Sequence, residues 1–336
     1  MSEKLPPPRS AGALTQRRVQ QPWPSDREFR ILSIDGGGIK GIFPASVLAE
    51  LEDRYLGGGG IASCFDLITG TSTGGIVALG LASGMRAREI ADLYINRGNE
   101  IFPPYADNWW GRQRSRWDCV RNFALHRYDR AALTALVSET FGDRLLGASQ
   151  SRLCIPSIDG RHGTVYVFKT PHHPDYRRDQ HELMTTVACA TSAAPTYFKP
   201  LESNGYRFVD GGLWANNPIM VGLVDALACF DVDRHNVRIL SLGCGDEPYT
   251  VTERMLRWGG LFTWRTVIDG ALAFQSENAL GQAKLLIGAE RVLRVTPTAV
   301  KPPIGLDDWR RAKDYLPGEA ARVVGDLGSM IDETYL

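Results

Sequence analysis

Short runs rich in β-branched and aromatic residues alternate with longer helical patterns from Phe29 onward. Strands are predicted at 29–34, 65–69, 153–158, 164–168, 206–209, 237–242 and 291–295. Helices are predicted near 42–55, 75–82, 87–96, 130–140, 218–229, 266–288 and 309–324. This alternation is typical of a sheet wrapped by helices, so the sequence predicts an α/β fold.

Nothing in residues 29–336 divides this body, because it contains no internal repeat and no long Pro/Gly/Ser linker. A length of 336 residues suits one large domain or two small ones, and the missing linker favours one. Residues 1–28 carry Pro6, Pro7, Pro8, Pro22 and Pro24 among Arg and Gln residues. This composition predicts a flexible N-terminal arm outside the domain.

The charge balance excludes one broad class of partner. The chain has 38 Lys and Arg residues and 38 Asp and Glu residues, whereas a protein that coats nucleic acid needs an excess of basic residues. Its longest apolar stretches, such as 76–82, are far shorter than the roughly 20 residues of a membrane-spanning helix. The six cysteines form no C-x-x-C pair. Together with the absence of a signal-peptide pattern, this predicts a cytoplasmic protein without a metal site or disulfides.

A glycine-rich loop, 35–41 with the letters DGGGIKG, follows the first predicted strand and precedes a helix. Consecutive glycines let the backbone turn sharply and direct several N–H groups into one small space, beside a helix N-terminus that favours negative charge. Such a nest can hold a phosphate or an oxyanion. Gly36, Gly38 and Gly41 also satisfy G-x-G-x-x-G, the dinucleotide-binding pattern, which is weak evidence alone.

The second loop, 70–74 with the letters GTSTG, contains a candidate nucleophile, Ser72. It is a G-x-S-x-G pattern between a predicted strand and a helix of small residues, as in a nucleophile elbow, where a strained turn exposes the serine hydroxyl and flanking glycines avoid clashes. A dinucleotide-binding protein would instead carry an acidic residue at the end of this strand. The strand has its acid at the other end, which disfavours nucleotide binding.

An activated serine needs a base, and two kinds are available. A conventional triad with a histidine stays open, with six candidates: His126, His162, His172, His173, His181 and His235. The alternative is Asp210, which begins a third loop, 210–212, after the predicted strand at 206–209. Functional loops gather at the carboxyl ends of strands in an open α/β sheet, so Asp210 and Ser72 can converge. Because a free aspartate with a pKa of about 3.9 is a poor base, we expect a partly desolvated Asp210 with a raised pKa.

These three loops, in this order, resemble the motifs of the patatin-like phospholipase family, D-G-G-G-x-[RK]-G, G-x-S-x-G and D-G-[GA]. Residues 190–198 and 216–218 are also similar to family segments, and the likeness spans about 29–245. The resemblance implies a three-layer α/β/α fold with a mainly parallel central sheet and a helical C-terminal part. It also implies acyl ester hydrolysis by a Ser-Asp dyad through an acyl-enzyme, without a metal or cofactor.

The residues that match the family motifs take the roles that the resemblance implies. They are Ser72 as nucleophile and Asp210 as general base, Gly36, Gly37, Gly38, Ile39, Lys40 and Gly41 around the oxyanion, Gly70, Thr71, Thr73 and Gly74 in the elbow, and Gly211 and Gly212 in the base motif. The N–H groups of Gly37 and Gly38 are expected to hold the oxyanion. Lys40 stands where many members have Arg, and it could steady the glycine loop or attract a lipid phosphate.

Within the family, the chain is similar to bacterial phospholipases that act as effectors of CBASS anti-phage defence. This likeness implies activation by a cyclic dinucleotide such as cyclic GMP-AMP, a membrane phospholipid substrate at the bilayer surface, and peripheral action on the inner membrane. It also implies a homodimer or larger homo-oligomer. Two aromatic segments, 101–117 and 255–264, are candidates for lipid contact. The basic stretch 109–121 is also a candidate for nucleotide binding.

Other hypotheses stay open at this point. One is a constitutive lipid acyl hydrolase, or lysophospholipase, without nucleotide control. The others belong to different classes: a nucleotide-binding oxidoreductase that uses the G-x-G-x-x-G pattern, or a storage or binding protein without catalytic activity.

Overall fold

The structure, a computed structural model, describes residues 6–9, 17–103, 126–245, 250, 253 and 267–336. The aromatic segment 255–264, nearly all of 101–117 and the basic stretch 109–121 lie outside the described residues. None of the described helices is long and apolar enough to cross a bilayer.

The described strands form one large sheet and one small pair. The large sheet has eight strands: β2 Phe29–Ile34, β3 Leu67–Gly70, β4 Leu153–Asp159, β5 Thr164–Lys169, β6 Leu201–Ser203, β7 Tyr206–Asp210, β9 Val237–Leu242 and β10 Val292–Val295. The order β10-β9-β2-β3-β4 is parallel throughout, whereas β5 and β7 pair antiparallel with β4, and β6 with β7. The small pair joins β1 Gln21–Pro22 to β8 Phe230–Asp231. The predicted, mainly parallel central sheet is therefore confirmed.

Helices cover both faces of this sheet. They are α1 Ile42–Tyr55, α2 Thr73–Ala82, α3 Ala87–Ile101, α4 Arg130–Phe141, α5 Met184–Thr191, α6 Gly212–Ala215, α7 Ile219–Cys229, α8 Val267–Ile287 and α9 Trp309–Tyr335. Successive residues of a strand point to opposite faces, and in β2 the neighbours Ile31 and Leu32 are both fully buried, in two different core clusters. The sheet is thus buried on both sides, which makes the predicted three layers.

Asp210 reaches the loop of Ser72 on an antiparallel strand. The sequence analysis expected the two residues to converge at the carboxyl ends of parallel strands. Ile68 of β3 pairs with Leu153, and Asp210 of β7 pairs with Ser157, further along β4. Because β5 occupies the other edge of β4 along 154–159, β3 and β7 share one edge and approach it from opposite directions. Their carboxyl ends therefore face each other, and this brings Asp210 to the loop that carries Ser72.

The described parts of segment 1–28 pack against the body rather than extending from it as a flexible arm. The ring of Trp23 lies 4.6 Å from that of Phe29 and 5.5 Å from that of Phe230, centroid to centroid. Arg9 is 6% exposed. Proline content predicts an extended backbone, but it says nothing about the aromatic and cationic side chains between the prolines, which dock here. The single domain at 29–336 stays a prediction.

Candidate active site

The strained turn between β3 and α2 exposes the hydroxyl of Ser72. Ser72 has φ 55° and ψ −121°, a backbone conformation that residues other than glycine rarely adopt. A Cβ atom on Gly70 would lie 2.2 Å from the carbonyl oxygen of Gly74, and one on Gly74 would lie 2.3 Å from that of Ile34. The two glycines of the G-x-S-x-G pattern are therefore required by the close approach of the backbone, as in a nucleophile elbow.

Ser72 and Asp210 are joined by a hydrogen bond. The hydroxyl of Ser72 donates to Oδ2 of Asp210 at 2.7 Å, and the N–H of Gly212 donates to Oδ1 at 2.7 Å. The N–H of Asp210 donates to the carbonyl of Ala193 at 3.0 Å, which fixes the end of β7. Asp210 is 5% exposed, so water does not compete freely for its carboxylate.

Burial raises the pKa of Asp210 to about 6, while the hydrogen bonds from Ser72 and Gly212 act in the opposite direction. Desolvation disfavours the charged form of a carboxylate, and this outweighs two donors. A raised pKa is the direction expected from the sequence. It gives the carboxylate more affinity for a proton while leaving it ionised at neutral pH.

The glycine loop presents two N–H groups without backbone partners among the described residues, those of Gly37 and Gly38. The neighbouring N–H groups are occupied: Gly36 donates to the carbonyl of Asn216 at 3.0 Å, and Ile39 to that of Leu306 at 2.8 Å. Gly38 has φ 57°, and a Cβ atom there would lie 2.3 Å from the carbonyl oxygen of Leu306. The available donors are thus the two that the sequence singles out, and they border the same cleft as Ser72.

The two charged residues of the glycine loop, Asp35 and Lys40, form hydrogen bonds to groups outside the loop. Lys40 donates from Nζ to the carbonyl of Gly245 at 2.8 Å, which steadies the loop. Asp35, fully buried, accepts two hydrogen bonds from Arg294 of β10, at 2.9 and 2.5 Å. Sequence reasoning missed Arg294. The sequence feature that could have indicated Arg294 is a cation within a predicted strand of apolar residues, because such a cation needs a buried partner.

Two threonines hold the nucleophile loop, and sequence reasoning assigned a place in the motif only to the first. The hydroxyl of Thr71 donates to the carbonyl of Ala215 at 2.6 Å. The N–H of Ser72 donates to Oγ1 of Thr191 at 3.0 Å, and Thr191 in turn donates to the carbonyl of Pro156 at 2.6 Å. The backbone of Ser72 is therefore tied to α5 and β4, and its side chain to β7.

The described histidines that form hydrogen bonds have partners other than Ser72. His162 forms a hydrogen bond with Asp159 at 2.7 Å, and His172 forms one with Asp225 at 2.7 Å. His173 forms one with the carbonyl of Val19 at 2.9 Å. His235 accepts from Arg234 at 3.2 Å. Across residues 126–245, the hydroxyl of Ser72 meets a carboxylate and no imidazole, so a conventional triad is not formed.

One group in the described part of the chain has ligand atoms close enough for a metal ion: Cys154, His172 and Asp225. Sequence spacing did not indicate this group. Asp225 already accepts hydrogen bonds from Lys169 at 2.5 Å and from Tyr176 at 2.7 Å, besides that from His172. These donors satisfy the carboxylate, so the group acts as a buried hydrogen-bond network between β5 and α7.

A cleft of about 790 Å³ opens over Ser72, Asp210 and the glycine loop. Many of its other lining residues are apolar, among them Ile76, Phe102 and Phe198. A separate apolar void of about 30 Å³ lies between α2, α3 and α4 and shares four lining residues with the cleft: Ile76, Tyr94, Ile101 and Leu133. A polar reaction centre beside apolar walls suits an ester that carries an acyl chain.

Comparison with known proteins decides the family. The family model described as patatin-like phospholipase matches residues 32–223. The chain belongs to the patatin-like phospholipase family. It is 38% identical over 250 residues to a cGAMP-activated phospholipase of Escherichia coli, covering 69% of this chain and 67% of that protein. It is 36% identical over 244 residues to one of Vibrio cholerae, covering 68% of each.

A solved structure, VipD from Legionella pneumophila, resembles this chain with a TM-score of 0.43 and 13% identity, over 93% of this chain and 71% of that one. The predicted patatin-like family and the predicted enzyme class, a serine acyl hydrolase, are confirmed by the family match. The oxidoreductase and storage-protein hypotheses are not favoured by it.

Proposed function

We propose that this chain is a phospholipase that hydrolyses acyl esters of membrane phospholipids, with Ser72 as nucleophile and Asp210 as general base. The observation that carries this proposal is the 2.7 Å hydrogen bond from the hydroxyl of Ser72 to a buried carboxylate. A nucleophile within hydrogen-bond reach of a base whose pKa is near 6 has the arrangement needed for proton transfer.

In the proposed reaction, Asp210 accepts the hydroxyl proton as Oγ of Ser72 attacks the ester carbonyl carbon. The negative charge develops on the carbonyl oxygen, and the N–H groups of Gly37 and Gly38 stabilise it. Collapse of the tetrahedral intermediate expels the alcohol, which takes the proton from Asp210, and leaves the acyl group on Ser72. Water, deprotonated by Asp210, then attacks the acyl carbon, and Oγ of Ser72 takes the proton back from Asp210 as the fatty acid leaves. Each step uses residues of this chain and no metal.

The proposed regulation is activation by a cyclic dinucleotide, and cyclic GMP-AMP is the first candidate. It is supported by the names of two relatives, both called cGAMP-activated phospholipase, at 38% and 36% identity. It also agrees with the resemblance to effectors of anti-phage defence. We further propose that the protein works as a homodimer or larger homo-oligomer in the cytoplasm, and acts peripherally on the inner membrane.

Labelling with a fluorophosphonate probe tests the catalytic part. Wild-type protein should be labelled in its active state, and Ser72→Ala should not. Ser83→Ala, at the other end of the same helix, is the matched control and should label like the wild type. Absence of labelling in wild-type protein, with and without cyclic dinucleotides, would refute the hydrolase proposal.

Phospholipid hydrolysis tests substrate and regulation together. Vesicles that contain a fluorogenic phospholipid should be hydrolysed by wild-type protein with cyclic GMP-AMP, and at least tenfold more slowly without it. Equal rates with and without a panel of cyclic dinucleotides would support a constitutive lipid acyl hydrolase instead. Ser72→Ala with the nucleotide gives the background rate.

A further inference from the structure

The side chain of Arg9 is enclosed by aromatic rings at the start of β7 and on β5. Its guanidinium lies 4.9–5.4 Å from the ring centroids of Tyr166, Phe168, Tyr206 and Phe208. The Arg9 side chain is 2% exposed. Aromatic faces attract a cation, and the attraction strengthens when water is excluded. We call these four rings the aromatic box.

Ion pairs and backbone contacts complete the binding of this segment. The guanidinium of Arg9 pairs with Asp179 at 2.9 Å and with Glu182 at 2.8 Å. The hydroxyl of Tyr206, on β7, donates to the carbonyl of Pro7 at 2.9 Å. Segment 6–9 is therefore fastened to β7 through both its side chains and its backbone.

The strand that the aromatic box rests on lies next to the edge of the sheet. β7 pairs with β4 over three residues and with β6 over three residues, and β6 is at the edge of the sheet. Because side chains alternate along a strand, Tyr206, Phe208 and Asp210 belong to one face of β7. Arg9 thus contacts two residues of the face whose third member is the proposed base.

We propose that Arg9 is a positioning residue for the Ser72–Asp210 pair. By filling the aromatic box it holds β7 so that the carboxylate of Asp210 stays within hydrogen-bond reach of Ser72. This inference rests on the proposed function, because it assigns Arg9 an effect on the same two groups. Arg9 itself touches neither the reacting atoms nor the substrate.

Removal of the guanidinium has two physical consequences. The box loses its central cation, and the carboxylates of Asp179 and Glu182 lose a buried partner, which favours a rearrangement of β5 and β7. A displacement of about 1 Å in a catalytic group can lower a rate on the order of 100-fold. We therefore expect Arg9→Met to reduce the rate at which Ser72 reacts by at least tenfold.

The experiment measures the rate constant for fluorophosphonate labelling of Ser72 in the full-length protein, with cyclic GMP-AMP present if the wild type requires it. A variant that is merely less stable gives fewer labelled molecules at the same rate constant. A displaced base lowers the rate constant itself. Arg9→Lys keeps the charge near both carboxylates and should recover part of the rate.

The matched control is Arg86→Met, because Arg86 pairs at 2.9 Å with the fully buried carboxylate of Glu52, between α1 and α3. It should lower the melting temperature while keeping the wild-type rate constant. If Arg9→Met fails to fold, the double variant Arg9→Met with Glu182→Gln replaces it in the experiment, because it removes one of the two unpaired charges.

Three outcomes distinguish the proposals. Slower labelling in Arg9→Met, with normal labelling in Arg86→Met, supports the positioning role. Wild-type rate constants in Arg9→Met, or an equal decrease in the control, overturn it. If wild-type protein is not labelled at all, the proposed function fails. Amide hydrogen exchange of residues 206–210 then tests whether Arg9 supports β7. Unchanged exchange in Arg9→Met overturns this support, and faster exchange upholds it.

Discussion

Replacement of Asp210 by asparagine is expected to stabilise the folded protein at pH 8 while it abolishes hydrolysis. Burial raises the pKa of Asp210 to about 6 in the folded state, whereas an unfolded aspartate has a pKa of about 3.9. The folded state therefore binds the proton more tightly. The resulting stability is fully present below pH 4 and is lost as the pH rises through 6. A difference of about two pKa units corresponds to about 3 kcal/mol, which is the cost of the buried charge at pH 8.

Urea unfolding of wild type and Asp210→Asn at pH 8 and pH 5 measures this cost. At pH 5, one unit below the folded pKa, the wild type regains about 1.4 kcal/mol, so the advantage of the variant should shrink by that amount. Comparison at equal pH cancels the other titrating groups. The hydrogen bond from Ser72 lowers the pKa of Asp210, so Ser72→Ala should enlarge the pH effect. A difference between wild type and Asp210→Asn that is independent of pH, or one that grows toward pH 5, would refute the reasoning.

Three further predictions follow from the same geometry. The kcat/KM for an ester substrate should be constant above pH 7 and fall tenfold per pH unit below about pH 6, because Asp210 must be ionised to accept a proton. A kcat/KM that stays constant down to pH 4.5 would contradict this. Gly74→Ala should abolish fluorophosphonate labelling and soluble expression, because its Cβ would lie 2.3 Å from a backbone carbonyl oxygen of β2. Gly60→Ala is the control and should change neither, because the space around Gly60 is open. Arg294→Met should lower the free energy of unfolding by about 3–5 kcal/mol because it removes the ion pair that Arg294 forms with the buried Asp35. The added Asp35→Asn should restore part of that loss, and urea unfolding measures both changes.

The parts of the site that the sequence predicts are those in which a steric demand fixes the residue type at several positions of one short loop. The elbow around Ser72 needs glycine at 70 and 74 because backbone atoms approach within 2.2–2.3 Å of where a Cβ would stand. Position 38 needs glycine because its φ is 57° and because a Cβ atom there would lie 2.3 Å from the carbonyl oxygen of Leu306. Each of these demands excludes a side chain at one position of a short loop, so together they appear as glycines in short motifs that can be read without knowing the fold.

The supports of the site have no such local signal. Arg294 reaches Asp35 only because β10 follows β9 and β2 in the sheet, and Thr191 reaches Ser72 only because α5 ends beside the elbow. Strand order and register decide these contacts. The alternation of strands and helices predicts the layers, but it did not predict that β3 and β7 meet end to end along β4.

The resting site carries local costs, and the first chemical step would relieve the one at Asp210. Ser72 has a strained backbone, worth on the order of 1–3 kcal/mol, and the carboxylate of Asp210 is buried at a cost of about 3 kcal/mol at pH 8. Proton transfer from Ser72 neutralises the buried carboxylate. At the same moment negative charge moves toward the N–H groups of Gly37 and Gly38, which have no backbone partner among the described residues. The site is therefore more complementary to the tetrahedral intermediate than to the bound ester, which is the condition for catalysis. Because the same condition lowers the stability of the resting protein, a variant at position 210 can be more stable and inactive for a single physical reason.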